Sequence, residues 1–551
     1  MMAAIPDIAT VQTDVLVIGG GIAGHRAALA ARQRGADVLM AYVARGASPF
    51  VIGCNVPTMQ VQPKDSPEEY AADMIRGGYG LNDQRLVRAM VEESIAAFDE
   101  LASLGVPFAR DDDRPSLRHL SGNTYARSVY VADGTGRSIM DALGKEVSRI
   151  GITVMSGWKA LRLLKAGDTV VGALLWRQQG NRLCAVHAKS TVLAAGGIGR
   201  LYDDSTYPAD VSAGSYGVAL EAGARLVDME FVQFEPVVTV WPEACRGMEM
   251  PTAMLGDGAH LLNAEGERFM LRYNPGHGER QIEKARMALC IQQEIDAGRG
   301  LAGGTVLFDT RPVPRERLES YVSHCRRLRS AGLDPAVQGP LVRPAAHSQM
   351  GGIHIDANGW SGVPGLYAAG EAAGGVHGAS RIAGNGCSDT VVFGGLAGRG
   401  AAGGMRDITG VDRGRAVASA LNPILATIGR QGRKSPIAAK SEICRTVSQA
   451  APIWRTGQQL QQGATALLDL QDQITVGLEV TDIRTAIEAV EAMHMVLTAR
   501  TIVGSALQRE ESRGAHQRVD FPKTDNSNWL RHVVFQYGPE GVLRAETVAI
   551  Q

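Results

Sequence analysis

Groups able to bind an anion are concentrated late in the chain, between Pro344 and Gly395, in PAAHSQMGGIHIDANGWSGVPGLYAAGEAAGGVHGASRIAGNGCSDTVVFGG. The one arginine of this stretch, Arg381, presents a planar fork that suits a carboxylate, and His347 presents a second donor. On residue type alone the plainer readings, a structural ion pair and a satisfied loop histidine, are preferred. The density of glycine shifts the balance, because bare backbone suits close approach to a large ligand. The pattern predicts a short buried strand over Gly365 to Ala369, entering the Gly370-Glu371 turn. It also predicts a helix opening in GNGCSDTVVFGG, whose free N–H groups favour anionic or electron-rich atoms. Together these features predict the floor of an active site.

The elements that hold such a floor begin at the other end of the chain. Asp14 to Ile18 (DVLVI) is a β-branched run entering Gly19-Gly20-Gly21-Ile22-Ala23-Gly24, followed by helical spacing in HRAALAARQRG and a second strand in GADVLMAYV. The glycines thus stand in the strand–turn–helix setting of a dinucleotide site. Gly19 serves the tight turn, Gly21 the approach of a pyrophosphate, and Gly24 the packing of helix on strand. The acid expected at the end of the second strand is absent, since Leu39-Met40-Ala41-Tyr42 stands there. Residues 66–106 predict a helical scaffold and residues 152–188 a run of strands. STVLAAGGIGRLY then repeats an apolar strand entering glycine at Gly196, Gly197 and Gly199. Three such turns, far apart in sequence, predict one α/β, Rossmann-like nucleotide domain assembled from distant segments.

At 551 residues the chain exceeds one compact core, so two or three domains are expected. A net charge of −1 gives no support to a nucleic-acid or membrane-surface partner. The first residues lack a basic and an apolar region, and no apolar run reaches a membrane span, so a cytoplasmic protein is expected. The seven cysteines are scattered and form no CxxC. That argues for a reducing compartment and against a zinc knuckle or an iron–sulfur cluster held by this chain. Met493 and Met495 beside His494 read as helix packing rather than a metal site.

Seven motifs stand in a fixed order: GGGIAG, LAAGGIGRLY, VDMEFVQFEP (Val227 to Pro236), LLNAEGERFMLRY (Leu261 to Tyr273), HSQMGGI (His347 to Ile353), VPGLYAAGEAAGGVHGASRIAGN and ESRGAHQRVDFPKTDNSNW (Glu511 to Trp529). In that order the chain resembles the flavoprotein subunits of succinate dehydrogenase and fumarate reductase, with L-aspartate oxidase, as a divergent member. The resemblance implies FAD and an FAD-binding domain (residues 1–234 and 345–404) interrupted by an α+β capping domain (235–344). A C-terminal helical domain and tail (405–551) is implied to follow.

The resemblance also implies roles. The pyrophosphate lies on Gly19, Gly21 and Gly24; Gly196, Gly197 and Glu371 hold cofactor; Gly384, Asn385 and Ser388 cap the flavin at a helix N-terminus. His347 and Arg381 form the carboxylate-binding pair. The proton carrier falls on Arg280 when aligned by the preceding loop, or on Lys284 when aligned from the helix's far end, with Arg280 preferred; the two are expected one turn apart on one helix face.

Several positions depart from the family. Pro49 stands where covalent-flavin members carry His, so FAD is expected to be noncovalent. Gly214 stands where many members have Asp. Glu235 replaces the His of QFHP, which meets a substrate carboxylate, and acid against acid is unfavourable unless one is protonated or a cation intervenes. The family's Thr-Glu pair aligns with Pro251-Thr252 or with Pro242-Glu243. A rebuilt second pocket makes succinate or fumarate doubtful. A substrate with one carboxylate and an amine, hydroxyl or amide near Glu235 fits better; the plainer reading pairs Glu235 with Arg246.

The expected function is therefore an FAD-dependent dehydrogenase or reductase of a small carboxylate-containing acid, served by a separate iron–sulfur, ferredoxin-like partner. The alternatives are an oxidase resembling L-aspartate oxidase and an FAD-binding electron-transfer subunit.

Overall fold

The computed structural model describes residues 8–132, 134–538 and 541–550. They form two compact units. The first contains the described residues up to Leu201, Pro208–Phe231, and those from Gln349 onward; the second contains Tyr202–Tyr207 and Val232–Ser348. The second unit thus interrupts the first in sequence.

A seven-stranded sheet organises the first unit. Its strands run in the order Thr153–Ser156, Val38–Tyr42, Ile8–Ile18, Arg182–Leu193, Thr169–Arg177 and Trp158–Ala166, and Leu366–Ala368 also pairs with Arg182–Leu193. Val15, Leu16 and Val17 are fully buried, as an apolar strand in a covered parallel sheet must be. Parallel pairing sets Ile18 opposite Leu193, and Leu193 opposite Ala368. Three carboxyl ends therefore lie side by side, and each enters a glycine turn. This is the crevice where open α/β sheets bind ligands.

Sterics explain the glycines on both sides of this crevice. A Cβ on Gly19 (φ +137°) would fall 2.1 Å from the Ala194 carbonyl oxygen, and one on Gly24 would fall 2.1 Å from that of Gly19. The helix Ile22–Gln33 accordingly closes tightly on the first strand. The helix Asn385–Gly403 packs on it through Gly394 and Gly398, where a Cβ would lie 2.6 Å from Ala23 O and 2.2 Å from Ala27 O. Part of the late glycine richness therefore serves helix-on-helix approach rather than a ligand.

A second sheet of the first unit runs Ala373–Gly374, Gly352–His354, Arg225–Val227, Arg531–Tyr537 and Leu543–Ala549. Residues 405–550 contain the helices Arg413–Leu425, Pro436–Ala450, Gly457–Val476 and Ile483–Gln508, and the tail beyond them adds strands. Its β-branched and aromatic run HVVF pairs Val534 with Val227 and Phe535 with Leu226. Ahead of it, ESRGAHQRVDFP binds largely to itself and its neighbours. Arg509, buried, pairs with Glu230 and Glu511, and Glu511 also holds Arg513. His494 is buried in the helix Ile483–Gln508 beside Gly217, with Glu221 at 3.3 Å.

The second unit has its own four-stranded sheet, ordered Val232–Trp241, Leu341–Gln349, Val306–Asp309 and His260–Leu262. The helix Lys284–Glu294 packs on the first of these strands, over a core that includes Val237, Met250, Phe269, Ile291 and Phe308.

Candidate active site

In the first unit, Gly21 caps the helix Ile22–Gln33 without a side-chain hydrogen bond. A Cβ there would lie 2.7 Å from Ser48 Oγ, which accepts the Ile22 N–H at 3.0 Å. Glu371 follows the third glycine turn. Its carboxylate lies against Gly197, where a Cβ would meet Glu371 Cδ at 2.6 Å, and Oε1 accepts the Gln349 N–H at 2.8 Å. Tyr216 donates its hydroxyl to the Glu371 carbonyl at 2.7 Å. Gly196 (φ +84°) supplies the left-handed turn beside it.

Gly384 (φ +93°) begins the helix Asn385–Gly403, again with no side-chain cap. A Cβ on Gly384 would fall 2.3 Å from Asn55 Oδ1. Asn385 Oδ1 accepts from Asn55 Nδ2 at 2.7 Å and from the Tyr70 hydroxyl at 2.8 Å. Ser388 Oγ accepts the Asn55 N–H at 2.7 Å and donates to the Asn55 carbonyl at 2.9 Å. Both side chains thus hold protein, and what this turn offers a ligand is backbone N–H and the positive end of a helix dipole. Arg381 lies over the same turn: a Cβ on Gly386 would come 3.5 Å from its Nη1. Glycine turns at three adjacent strand ends of one sheet, with a helix start at Asn385 that no side chain caps, fit a dinucleotide cofactor such as FAD.

The second unit gathers charge. Lys284 Nζ donates to both oxygens of Glu235 and to Glu249 Oε1, each at 3.0 Å. Ligand atoms of Glu235, Glu249 and His347 lie within 4.8 Å of one another, and His347 Nδ1 hydrogen-bonds Thr206 Oγ1 at 3.0 Å. Burial, and then the charge of Glu249, push Glu235 up to about 8 against the pull of Lys284. Burial would raise Glu249 too, but Lys284 and then His347 bring it down to about 2. Burial disfavours the Lys284 ammonium, yet the two carboxylates hold it well above its ordinary range. The two acids, Glu235 pushed up and Glu249 pulled down, therefore titrate as a coupled pair around the Lys284 ammonium.

Three expectations change here. Arg280 and Lys284 do not share a helix face: the helix begins at Lys284, and Arg280 is exposed in the turn before it, after which Gln281 takes φ +51°. Glu235 pairs with Lys284, not Arg246, which binds Glu243 and Asp204 instead. Neither aligned Thr-Glu candidate is the second acid. Glu243 pairs with Arg246 and Thr252 opens a short helix, whereas Glu249 joins the cluster. A hairpin brings it back: Thr239 N–H bonds Met248 O at 2.8 Å and Met250 N–H bonds Val237 O at 2.8 Å. The signal in the sequence was the alternation Met248-Glu249-Met250 after the Gly247 turn.

The family models match in sequence order, an FAD binding domain over residues 14–387 and a fumarate reductase flavoprotein C-terminal region over residues 440–551. The chain belongs to the succinate dehydrogenase and fumarate reductase flavoprotein family. It is 35% identical to a subunit of the fumarate reductase (CoM/CoB) of Methanothermobacter marburgensis, over 95% of this chain and 97% of the relative. It is 34% identical to L-aspartate oxidase of Caulobacter vibrioides, over 93% and 94%. Among solved structures, a quinol-fumarate reductase with menaquinol molecules matches with a TM-score of 0.91 at 26% identity, over 99% of both chains. Mycobacterium smegmatis Sdh1 in complex with UQ1 matches at 0.88 and 30% identity, over 99% of this chain and 95% of the other. This flavoprotein is accordingly an FAD-dependent oxidoreductase. No helix among its described residues is long and apolar enough to cross a membrane.

Proposed function

We propose that the flavoprotein oxidises or reduces a small organic acid other than plain succinate or fumarate, with FAD held noncovalently. The observation that carries this reading is the Glu235–Lys284–Glu249 cluster. A second substrate carboxylate brought to Glu235 meets the charge of Glu249 and competes with both acids for one ammonium. A hydroxyl, amide or ammonium finds acceptors there instead.

Bound FAD supplies a hydride acceptor or donor at flavin N5 for a carbon near the substrate carboxylate. Within the first unit, Gly19, Gly21, Gly24, Gly196, Gly197 and Glu371 hold the cofactor, backbone at Gly384, Asn385 and Ser388 faces the flavin, and Arg381 binds a carboxylate. Within the second unit, His347, oriented by Thr206, is a further donor, and Lys284 moves the proton. Buried between two acids, Lys284 is better placed for this than the exposed Arg280. Pro49, in the short turn Ser48–Phe50, offers no nucleophile for a covalent flavin link. Electrons leave to a separate iron–sulfur, ferredoxin-like protein.

A second reading, an amino acid oxidase, is favoured by the L-aspartate oxidase relative and by Glu235 and Glu249 as partners for an ammonium. Anaerobic flavin absorbance during titration with carboxylic and amino acids separates the two. Bleaching by a hydroxy or other acid with slow recovery in oxygen supports the dehydrogenase. Bleaching by an amino acid with rapid recovery and peroxide supports the oxidase, while bleaching by no acid, with partner-dependent electron transfer, leaves an electron-transfer subunit. Bleaching by succinate as readily as by any other acid sinks the proposed substrate class.

A further inference from the structure

A buried charged cluster that the proposed reaction does not use stands behind the start of the Asn385 helix. Arg127, fully buried, donates to the two oxygens of Asp65 at 2.8 and 3.2 Å and lies 2.9 Å from Asp73, and both acids are buried too. Asp73 is fixed in turn by the Thr124 N–H at 2.7 Å and the Thr124 hydroxyl at 2.6 Å. One turn before Asp73, on the helix Pro67–Gly77, the ring of Tyr70 lies with its centroid 4.7 Å from the Arg127 guanidinium, a cation over an aromatic face. The Tyr70 hydroxyl donates to Asn385 Oδ1 at 2.8 Å, and Asn55 Nδ2 donates to the same oxygen at 2.7 Å. Burial holds the Tyr70 hydroxyl far above its ordinary range, so it stays a donor. Asn385 is the first residue of its helix, and Gly384 before it has no side chain to cap the free N–H groups. An asparagine carbonyl at that position competes for those groups unless something else holds it. Here Tyr70 and Asn55 hold it. Asn55 Oδ1, buried against Gly384, accepts from no protein donor among the described residues, so the turn keeps an acceptor as well as N–H groups for a ligand.

We propose that Tyr70 is a positioning residue: with Asn55 it restrains the Asn385 amide, keeps the start of this helix open to the flavin and so raises the flavin's reduction potential. The inference rests on the proposed flavin position at the start of the Asn385 helix. Reduction adds electron density to the ring, and the positive end of a helix stabilises the reduced form more than the oxidised one. An amide folded back onto the first turn takes an N–H away from the flavin and sets the partial negative charge of its own carbonyl in that place. Arg127 acts one step further back, through the face of the Tyr70 ring, while Asp65 and Asp73 balance its charge and fix its plane.

The test is the two-electron midpoint potential of the FAD-loaded protein, read from flavin absorbance against a reference dye, for Tyr70→Phe, Asn385→Ala and the double variant, with FAD affinity and thermal midpoint measured for each. Phenylalanine keeps the ring against Arg127 and removes only the hydroxyl. Tyr70→Phe should shift the equilibrium about tenfold toward oxidised FAD, a fall of about 30 mV for a two-electron couple. In the Asn385→Ala background, which has no amide to restrain, the same change should leave the potential where it is. A purely structural tyrosine lowers the thermal midpoint in both backgrounds without moving the potential, and that result overturns the proposal, as does an equal fall of potential in both. Should Tyr70→Phe fail to fold, Asn385→Ser against Asn385→Ala decides. Serine is too short for Tyr70 to hold and can bond a helix N–H itself, so it alone should lower the potential; equal potentials overturn the inference. Any of these contrary results with FAD bound leaves the flavin assignment standing, whereas a protein that binds no FAD overturns that assignment and this proposal with it.

Discussion

Lys284 Nζ sits 3.0 Å from each carboxylate oxygen of Glu235, a residue only 2% exposed. The same ammonium reaches Glu249, so one cation serves two acids. Replacing Lys284 leaves that buried pair without its counter-charge, whereas replacing the exposed Arg280 disturbs little. Lys284→Met should lower kcat by about 10²–10⁴-fold, the usual span for loss of a general acid or base. Arg280→Ala should change it less than about threefold, since surface changes away from such a site are nearly neutral. Steady-state kinetics with flavin content checked for each variant decides, and the reverse ranking would return the proton-carrier role to Arg280.

The raised Glu235 gives a pH dependence with a definite sign. Its native value, about 8, exceeds the unfolded value, so the folded protein holds more protons between the two. This contribution to stability is fully present below the ordinary glutamate range and is lost as pH rises through about 8. Ligand affinity should change over the same window, because Glu235 switches there from a neutral donor to a second anion beside Glu249. Glu235→Gln should abolish the transition near pH 8 in both kcat/KM and thermal midpoint. A profile unchanged by the substitution would mean that another group titrates there.

Specificity should follow the charge count of the cluster. The double change Glu235→His, Glu249→Gln removes both acids and leaves Lys284 with a neutral-to-cationic neighbour. Binding of a dicarboxylate, read by perturbation of the flavin spectrum, should tighten by about tenfold or more, equivalent to one good charge-assisted hydrogen bond at about 1.5–3 kcal/mol. Binding of a monocarboxylate should not improve. Equal gains for both would show that the cluster does not read the remote end of the substrate.

Arg381 lies flat over the first turn of the Asn385 helix, against Gly386. Lysine keeps the charge but not the fork, so Arg381→Lys should raise KM for the acid by about tenfold or more with FAD still bound, and Arg381→Met should raise it further. Equal kinetics for Lys and Arg would argue for a structural ion pair.

Gly398 opposes two effects of known size. Alanine in a helix interior gains about 1 kcal/mol over glycine, but overpacking a tight contact costs about 1–3 kcal/mol. A Cβ 2.2 Å from Ala27 O, with backbone on both sides, makes the cost larger. Gly398→Ala should therefore lower the thermal midpoint and loosen FAD binding together, while Gly403→Ala, with no atom within 4 Å of its Cβ, should not.

Much of the fold was legible because its signals are local. A β-branched strand entering Gly19-Gly20-Gly21 and a helix held close by Gly24 specify their own conformations, and the motifs carry the family. Arg381 and His347 stand out in the sequence for the same reason: each lies inside a short run whose neighbours mark it. Other assignments need contacts between segments that no local pattern encodes. Glu249 meets Glu235 only through the register of a hairpin, and Arg280 is set apart from Lys284 by a turn that delays the helix to residue 284. That Asn55 and Tyr70 hold the side chains of Asn385 and Ser388, leaving the backbone of this helix N-terminus to a ligand, shows only in the tertiary structure. The sequence by itself determined the cofactor class, the order of the domains and the chemistry of the candidate groups, because these depend on residue type and short-range geometry. The tertiary structure decided which charges share a proton and which side chains face protein instead of ligand, because burial and pairing energies arise only when distant segments pack.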